Sequence, residues 1–161
     1  MQKRLILILD NIRSVHNVGS LFRTADGLGL SHIILSGTTP APIDRFGRER
    51  NDFKKVSLGA EKTVSWEYVE TTSGAIEMSK KDGYEIVALE QNSRSKNINE
   101  FSSDKNIALV LGPEVTGISQ EVLSLCDSIL EIPMFGKKES LNVSVAGAIA
   151  MYELLKTKKS A

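Results

Sequence analysis

Cysteine is nearly absent from this sequence: Cys126 stands alone among 161 residues. No intramolecular disulfide can form, and a zinc site built of cysteines alone is excluded. Net charge is absent as well, with 20 basic side chains against 20 acidic ones. No global field draws the chain to a polyanion, so nucleic acid would have to be met by a local basic patch. Long apolar runs are missing. Leu5-Ile6-Leu7-Ile8-Leu9 falls far short of the roughly 20 residues that span a membrane, and it is too short for the apolar region of a signal peptide. A cytoplasmic protein with no membrane segment is expected. What is present fits that reading. The apolar fraction of 41% and the charged fraction of 25% are those of a soluble globular domain. The length suits one domain over residues 1–161, with no linker or repeat.

The chain alternates strand and helix signals. Leu5 to Leu9 reads as a strand covered on both faces. In Asn17 to Leu28 the residues Val18, Leu21, Phe22, Ala25 and Leu28 recur on one helical face, and Gly29 closes the helix. Ser31 to Leu35 is a second strand, so the opening is a strand–helix–strand unit and the sheet is parallel. Thr38 to Lys55 breaks the pattern and reads as a long basic loop. Further strands are expected at Trp66–Val69, Tyr84–Leu89, Ile107–Leu111 and Ser128–Ile132. Helices are expected at Ser73–Lys81, with Ala75, Ile76 and Met78 facing inward, at Glu121–Leu125 behind the N-cap Ser119, and at Asn142–Leu155. Ser57 to Glu61 reads as a turn.

Three polar, glycine-bearing stretches follow strands, where open parallel sheets bind ligands. In the first, Arg23 lies nearly opposite the apolar face of its helix, with Gly19 and Gly27 one turn to either side. Glycine costs a helix interior roughly 0.5–1 kcal/mol relative to alanine, so both read as clearance around Arg23. On that reading Gly19→Leu harms catalysis more than folding. The second stretch is Leu111-Gly112-Pro113-Glu114-Val115-Thr116-Gly117. It is neither a phosphate-binding loop with its lysine nor a dinucleotide fingerprint. The third is Ile132-Pro133-Met134 followed by Ser140-Leu141-Asn142-Val143-Ser144. An N-cap accounts for Ser140 or Asn142 but not for all three polar residues. The small residues Ala146, Gly147, Ala148 and Ala150 beyond it suit close helix packing, within the domain or in a dimer.

Together these stretches resemble the SpoU (TrmH) family of RNA ribose 2′-O-methyltransferases, within the SPOUT superfamily. Asn17-x-Gly19-x-x-x-Arg23-x-Ala25, Leu111-Gly112-x-Glu114-x-x-Gly117, and Ile132-Pro133-Met134 with Ser140-Leu141-Asn142-Val143-Ser144 match its three motifs in order and spacing. The resemblance implies an α/β/α sandwich on a parallel sheet, a carboxyl-terminal deep trefoil knot and a homodimer. It implies S-adenosylmethionine as cofactor, no metal, and tRNA or rRNA as the partner. Leu89, Glu90, Gly112, Ile132, Met134 and Leu141 would border the cofactor. Arg23, Asn17, Glu114, Ser140 and Asn142 would form the catalytic group, with Arg23 orienting the ribose and stabilising a developing alkoxide. Arg45, Arg48, Arg50, Lys54 and Lys55 are the candidates for RNA contact, and the lysines from Lys156 to Lys159 a weaker set. The rival expectation is a catalytically silent RNA-binding or assembly factor of the same fold.

Overall fold

The opening run forms β1 (Leu5–Asp10), buried along its whole length. In the computed structural model, which describes residues 2–156, its side chains alternate between two cores, as the period of a strand requires. Leu5, Leu7 and Leu9 enter one core, with residues of α1 (Val15–Leu28) and α6 (Val143–Leu155). Ile6 and Ile8 enter the other, with residues of α4 (Thr72–Lys81) and α5 (Gln120–Ser124). The remaining strands are β2 (His32–Ser36), β3 (Ser65–Val69), β4 (Glu85–Leu89), β5 (Lys96–Asn97), β6 (Ile107–Leu111) and β7 (Ser128–Glu131). They assemble in the order β3-β2-β1-β6-β4-β7-β5, and every pairing within the sheet is parallel. The expected α/β/α sandwich is therefore observed. Among the described residues no helix is long and apolar enough to cross a membrane.

Several boundaries differ from expectation for physical reasons. Helix α1 begins two residues earlier than its apolar stripe, because Ser14 Oγ accepts from the Asn17 amide at 3.2 Å and caps it. It ends as expected at Gly29, whose φ of 75° is left-handed. The basic stretch is a loop only as far as Arg50; from Asn51 it enters α2 (Asn51–Ser57). No side chain caps that helix, and Phe53 and Ser57 alone are buried on it, so neither a cap nor a periodic stripe announces it. Its hold is tertiary. Phe53 meets Phe22 of α1 edge to face, with ring centroids 5.2 Å apart, a contact worth about 0.5–1.5 kcal/mol beyond area burial. The expected turn at 57–61 runs into a short helix, α3 (Ala60–Thr63). Met78 does not face inward: it is exposed, while Ala75 and Ile76 of the same helix are fully buried.

Candidate active site

Three loops leave the carboxyl ends of β4, β6 and β7 and enclose a cavity of about 280 Å³. Leu89, Glu90, Gly112, Ile132, Met134 and Leu141 all line it, together with Glu114 and Ser140. The loop after β6 owes its shape to its glycines. A Cβ on Gly112 would lie 2.3 Å from Ile118 Cγ1, so the loop can fold back this closely only over a glycine. Gly117 has a φ of 69°, and a Cβ there would meet Glu90 Oε2 at 2.8 Å. Glu90 is a brace: Oε2 accepts from the Ile118 amide at 2.9 Å and Oε1 from the Gln91 amide at 3.1 Å. Gln91 also lines the cavity, and its Nε2 donates to Glu139 O at 2.7 Å, tying the β4 loop to the β7 loop. Sequence reasoning missed Gln91, although its place just past a buried strand was the available signal.

At the rim of the cavity one chain of side-chain hydrogen bonds joins all three motifs. Asn17 Nδ2 donates to Glu114 Oε1, and Asn142 Nδ2 donates to Asn17 Oδ1 at 3.2 Å. Asn142 is the N-cap of α6, its Oδ1 accepting from the amide and the hydroxyl of Ser144 at 2.9 and 2.6 Å. Capping therefore accounts for both Asn142 and Ser144, and Ser140 alone is left as an exposed hydroxyl on the cavity wall. Asn17 is 5% exposed, and it is the middle link: a buried amide needs both a donor and an acceptor partner, which the other two motifs supply.

Arg23 stands apart from this group. Six residues beyond Asn17 is one and two-thirds turns, so Arg23 points about 120° away and lies about 9 Å further along the axis. It is exposed, lines none of the cavity, and has no hydrogen bond or ion pair among the described residues. Neither flanking glycine makes room for it. A Cβ on Gly19 would sit 3.0 Å from Val56 Cβ and 3.4 Å from Phe53 O, so Gly19 is clearance for α2 rather than for Arg23. Gly27 has nothing within 4 Å. This crowding counts against the expectation that Gly19→Leu harms catalysis more than folding, because a larger side chain there meets α2. The small residues of α6 do serve packing within the domain, since a Cβ on Gly147 would meet Leu21 and Leu111 at 2.7 and 2.8 Å.

The five basic candidates are far from equivalent. Arg48 pairs with Asp44 at 3.1 Å, Arg50 with Asp52 at 2.8 Å and Lys54 with Glu49. Arg45 lies over the Phe46 ring, and Lys55 has no partner among the described residues. Lys156 pairs with Glu153 at 2.9 Å, and the lysines beyond it lie outside the described residues.

A second polar cluster escaped sequence reading. Asp10, 4% exposed at the end of β1, accepts at Oδ1 from Thr72 Oγ1 at 2.6 Å and from Asn11 Nδ2 at 2.9 Å. A buried carboxylate requires such donors. They pin the turn from β1 into α1, and with it Asn17. A wider cleft of about 780 Å³ runs between this turn, the start of α4 and the loop after β6. Cys126 takes no part: burial pushes its thiol up to about 11, and Sγ donates to Val122 O at 3.3 Å. No group of three or more His, Cys, Asp or Glu among the described residues is placed to hold a metal ion.

The chain matches the model of the SpoU rRNA methylase family over residues 4–152. It is 34% identical over 151 residues to a tRNA (guanosine(18)-2′-O)-methyltransferase of Borreliella burgdorferi, covering 94% of this chain and 66% of that protein. A TrmH/SpoU tRNA-modifying enzyme of Aquifex aeolicus superposes with a TM-score of 0.80 at 32% identity, over 96% of this chain and 75% of the other. An AdoMet-bound rRNA methyltransferase of Sinorhizobium meliloti superposes with a TM-score of 0.85 at 25% identity, over 95% of this chain and 56% of the other. The chain thus spans only part of the length of these relatives. The family match across nearly the whole chain, added to three motifs joined at one cavity, places this chain in the SpoU methylase family.

Proposed function

We propose that this chain transfers a methyl group from S-adenosylmethionine to a ribose 2′-hydroxyl of a structured RNA, tRNA or rRNA, in the cytoplasm. The observation that carries the reading is the link Glu114–Asn17–Asn142, which brings three separate motifs to the rim of one cavity. The cavity suits the cofactor. Leu89, Leu111, Ile132 and Leu141 give it apolar walls, and the loops after β4, β6 and β7 bring backbone polar groups to its edge, the mixture that small-molecule sites use. When bound, the cofactor supplies a methyl carried on a cationic sulfur, so no metal is needed to activate it.

The chain's own residues have to place the hydroxyl and manage its proton. Glu114 reaches the cavity and keeps Oε2 free of any partner among the described residues, while Asn17 fixes Oε1. That free oxygen can accept from the ribose hydroxyl. Ser140 adds a second polar contact on the same wall. Arg23 is always protonated and donates only, which suits a phosphate or a developing alkoxide. Its distance from the cavity of its own chain supports a homodimer in which Arg23 of one copy serves the site of the other. The outer face of α6 supports the same reading: Val145, Ile149 and Tyr152 recur at helical spacing and are exposed, and a helix apolar all round is ordinarily covered. The carboxyl-terminal knot belongs to this proposal too. Its support is the position of β7 between β4 and β5, from which residues 132–142 must leave a strand hemmed on both sides.

The test is transfer of tritium from methyl-labelled S-adenosylmethionine to bulk tRNA or rRNA. RNA is expected to be labelled at ribose, and Arg23→Ala to abolish labelling while leaving cofactor binding intact. Mixing Arg23→Ala with Asn17→Ala chains should restore part of the activity if Arg23 acts across a dimer. Cofactor and RNA binding without transfer to any RNA class would instead establish a silent binding factor.

A further inference from the structure

The segment before α2 holds a large aromatic side chain in the open. Phe46 is 66% exposed, whereas Phe22 and Phe53 are fully buried. It sits at the tip of a small hairpin. Ile43 and Glu49 form an antiparallel bridge, the Asp44 amide donates to Arg48 O at 2.8 Å, and the Gly47 amide donates to Asp44 O at 3.0 Å. Gly47 takes the left-handed φ of 77° that the turn demands. Asp44 locks the tip from below, Oδ1 accepting from the amides of Phe46 and Arg48 at 2.8 and 3.0 Å and Oδ2 from Arg48 Nε at 3.1 Å. The ring is therefore held by its own backbone, not by packing. Two guanidinium carbons, of Arg45 and Arg48, lie 4.8 and 5.0 Å from its centroid.

An exposed aromatic ring with cations on hand is the combination by which proteins hold single-stranded nucleic acid. Bases stack on the ring whatever their sequence, and guanidiniums either stack or meet the backbone phosphates. A protein partner fits less well: a lone ring beneath two long cationic side chains offers little of the contiguous apolar area that such interfaces bury. The nearby acids are Asp44, Glu49 and Asp52, and each is engaged by a cation of the same segment, so they leave the tip without a free negative charge. We infer that Phe46, flanked by Arg45 and Arg48, is a stacking platform for an unpaired base of the RNA substrate. The inference rests on the reading of this chain as an RNA-modifying enzyme. It adds that the substrate is gripped at an unpaired loop or bulge, by stacking as well as by charge.

The experiment compares the binding of a 12-nucleotide mixed-sequence single-stranded RNA with that of a 12-base-pair RNA duplex, using the full chain at fixed salt. Phe46→Ala is expected to weaken single-strand binding about thirtyfold, the middle of the range for a stacked base, and to leave duplex binding unchanged. Phe46→Trp is expected to retain or tighten single-strand binding. Melting temperature and S-adenosylmethionine affinity, measured on the same samples, should match the unaltered protein, since the side chain packs against nothing buried. Single-stranded RNA bound as tightly by Phe46→Ala as by the unaltered protein overturns this inference alone. Unaltered protein that binds the cofactor but neither RNA overturns the proposed substrate class, and this inference with it.

Discussion

The cavity behind β4, β6 and β7 and the basic segment from Ile43 to Lys55 are built on opposite plans. The cavity takes its shape from the turns of its loops, locked by glycines that tolerate no Cβ and by a buried amide with both partners filled. The basic segment is made of long charged side chains, three of whose five cations pair with carboxylates a few residues away. Exposed pairs of that kind contribute only about 0–1 kcal/mol each, and in each a carboxylate competes with RNA for the cation. A motif of small residues reports a shape, and the shape survives folding. A motif of charges reports an inventory, and folding decides how much of it remains available.

The sharpest way to break this contrast is Gly112→Val. Its Cβ would meet Ile118 Cγ1 at 2.3 Å and Ile118 N at 3.2 Å, and the Ile118 backbone cannot yield without leaving Glu90. The loop after β6 must open, at a cost of roughly 1–3 kcal/mol for an overpacked site. Loss of cofactor binding in calorimetry is expected, together with a lowered melting temperature. A variant that keeps its cofactor affinity would show that the cavity is not shape-determined.

Much of the cavity was legible because its determinants are local. Gly112, Ile132, Met134 and Leu141, chosen from the second and third motifs, line one cavity with Leu89 and Glu90 from the end of β4, and strand runs such as Ile107–Leu111 show both boundaries in the sequence. Ser119 and Gly29 announce helix ends by chemistry alone. What stayed hidden depends on partners distant in sequence. Asp10 and Thr72 stand 62 residues apart, and neither residue type advertises the other. Helix α2 exists because Phe53 reaches Phe22 and because Gly19 lets Val56 approach. Arg23 is the instructive case: its motif was readable, but its direction on the helix, which sends it away from its own cavity, was not.

Gly19 and Gly27 supply an internal control of intermediate size. They lie one turn to either side of Arg23, yet only Gly19 is packed. Gly19→Leu should drive α2 from α1, costing about 1–3 kcal/mol of stability as an overpacked contact, visible as a lower denaturant midpoint. Gly27→Ala removes a helix glycine in open space and should stabilise by roughly 0.5–1 kcal/mol. Equal effects at the two sites would mean that α2 does not hold its place on α1, and the separation between a rigid site and an adjustable flank would have to be redrawn.

The smallest effect expected belongs to the hairpin lock. The backbone amide of Arg48 first, then that of Phe46, the Arg48 guanidinium and the charge of Arg50, hold the Asp44 carboxyl below its ordinary range against an opposing effect of burial second in size only to the Arg48 amide. A carboxyl lowered on folding contributes above its unfolded value, and that contribution is lost as pH falls through the lowered one. The hairpin should therefore be unchanged from neutral pH down to the ordinary aspartate range near 3.9, and should loosen only below it. Amide exchange at Phe46 and Arg48 reads this directly. Protection that disappears between pH 7 and 5 would assign the lock to another group, whereas protection lost in Asp44→Asn at all pH values, with the cavity's cofactor affinity unmoved, would show that the charged flank is held by one carboxylate while the cavity is held by shape.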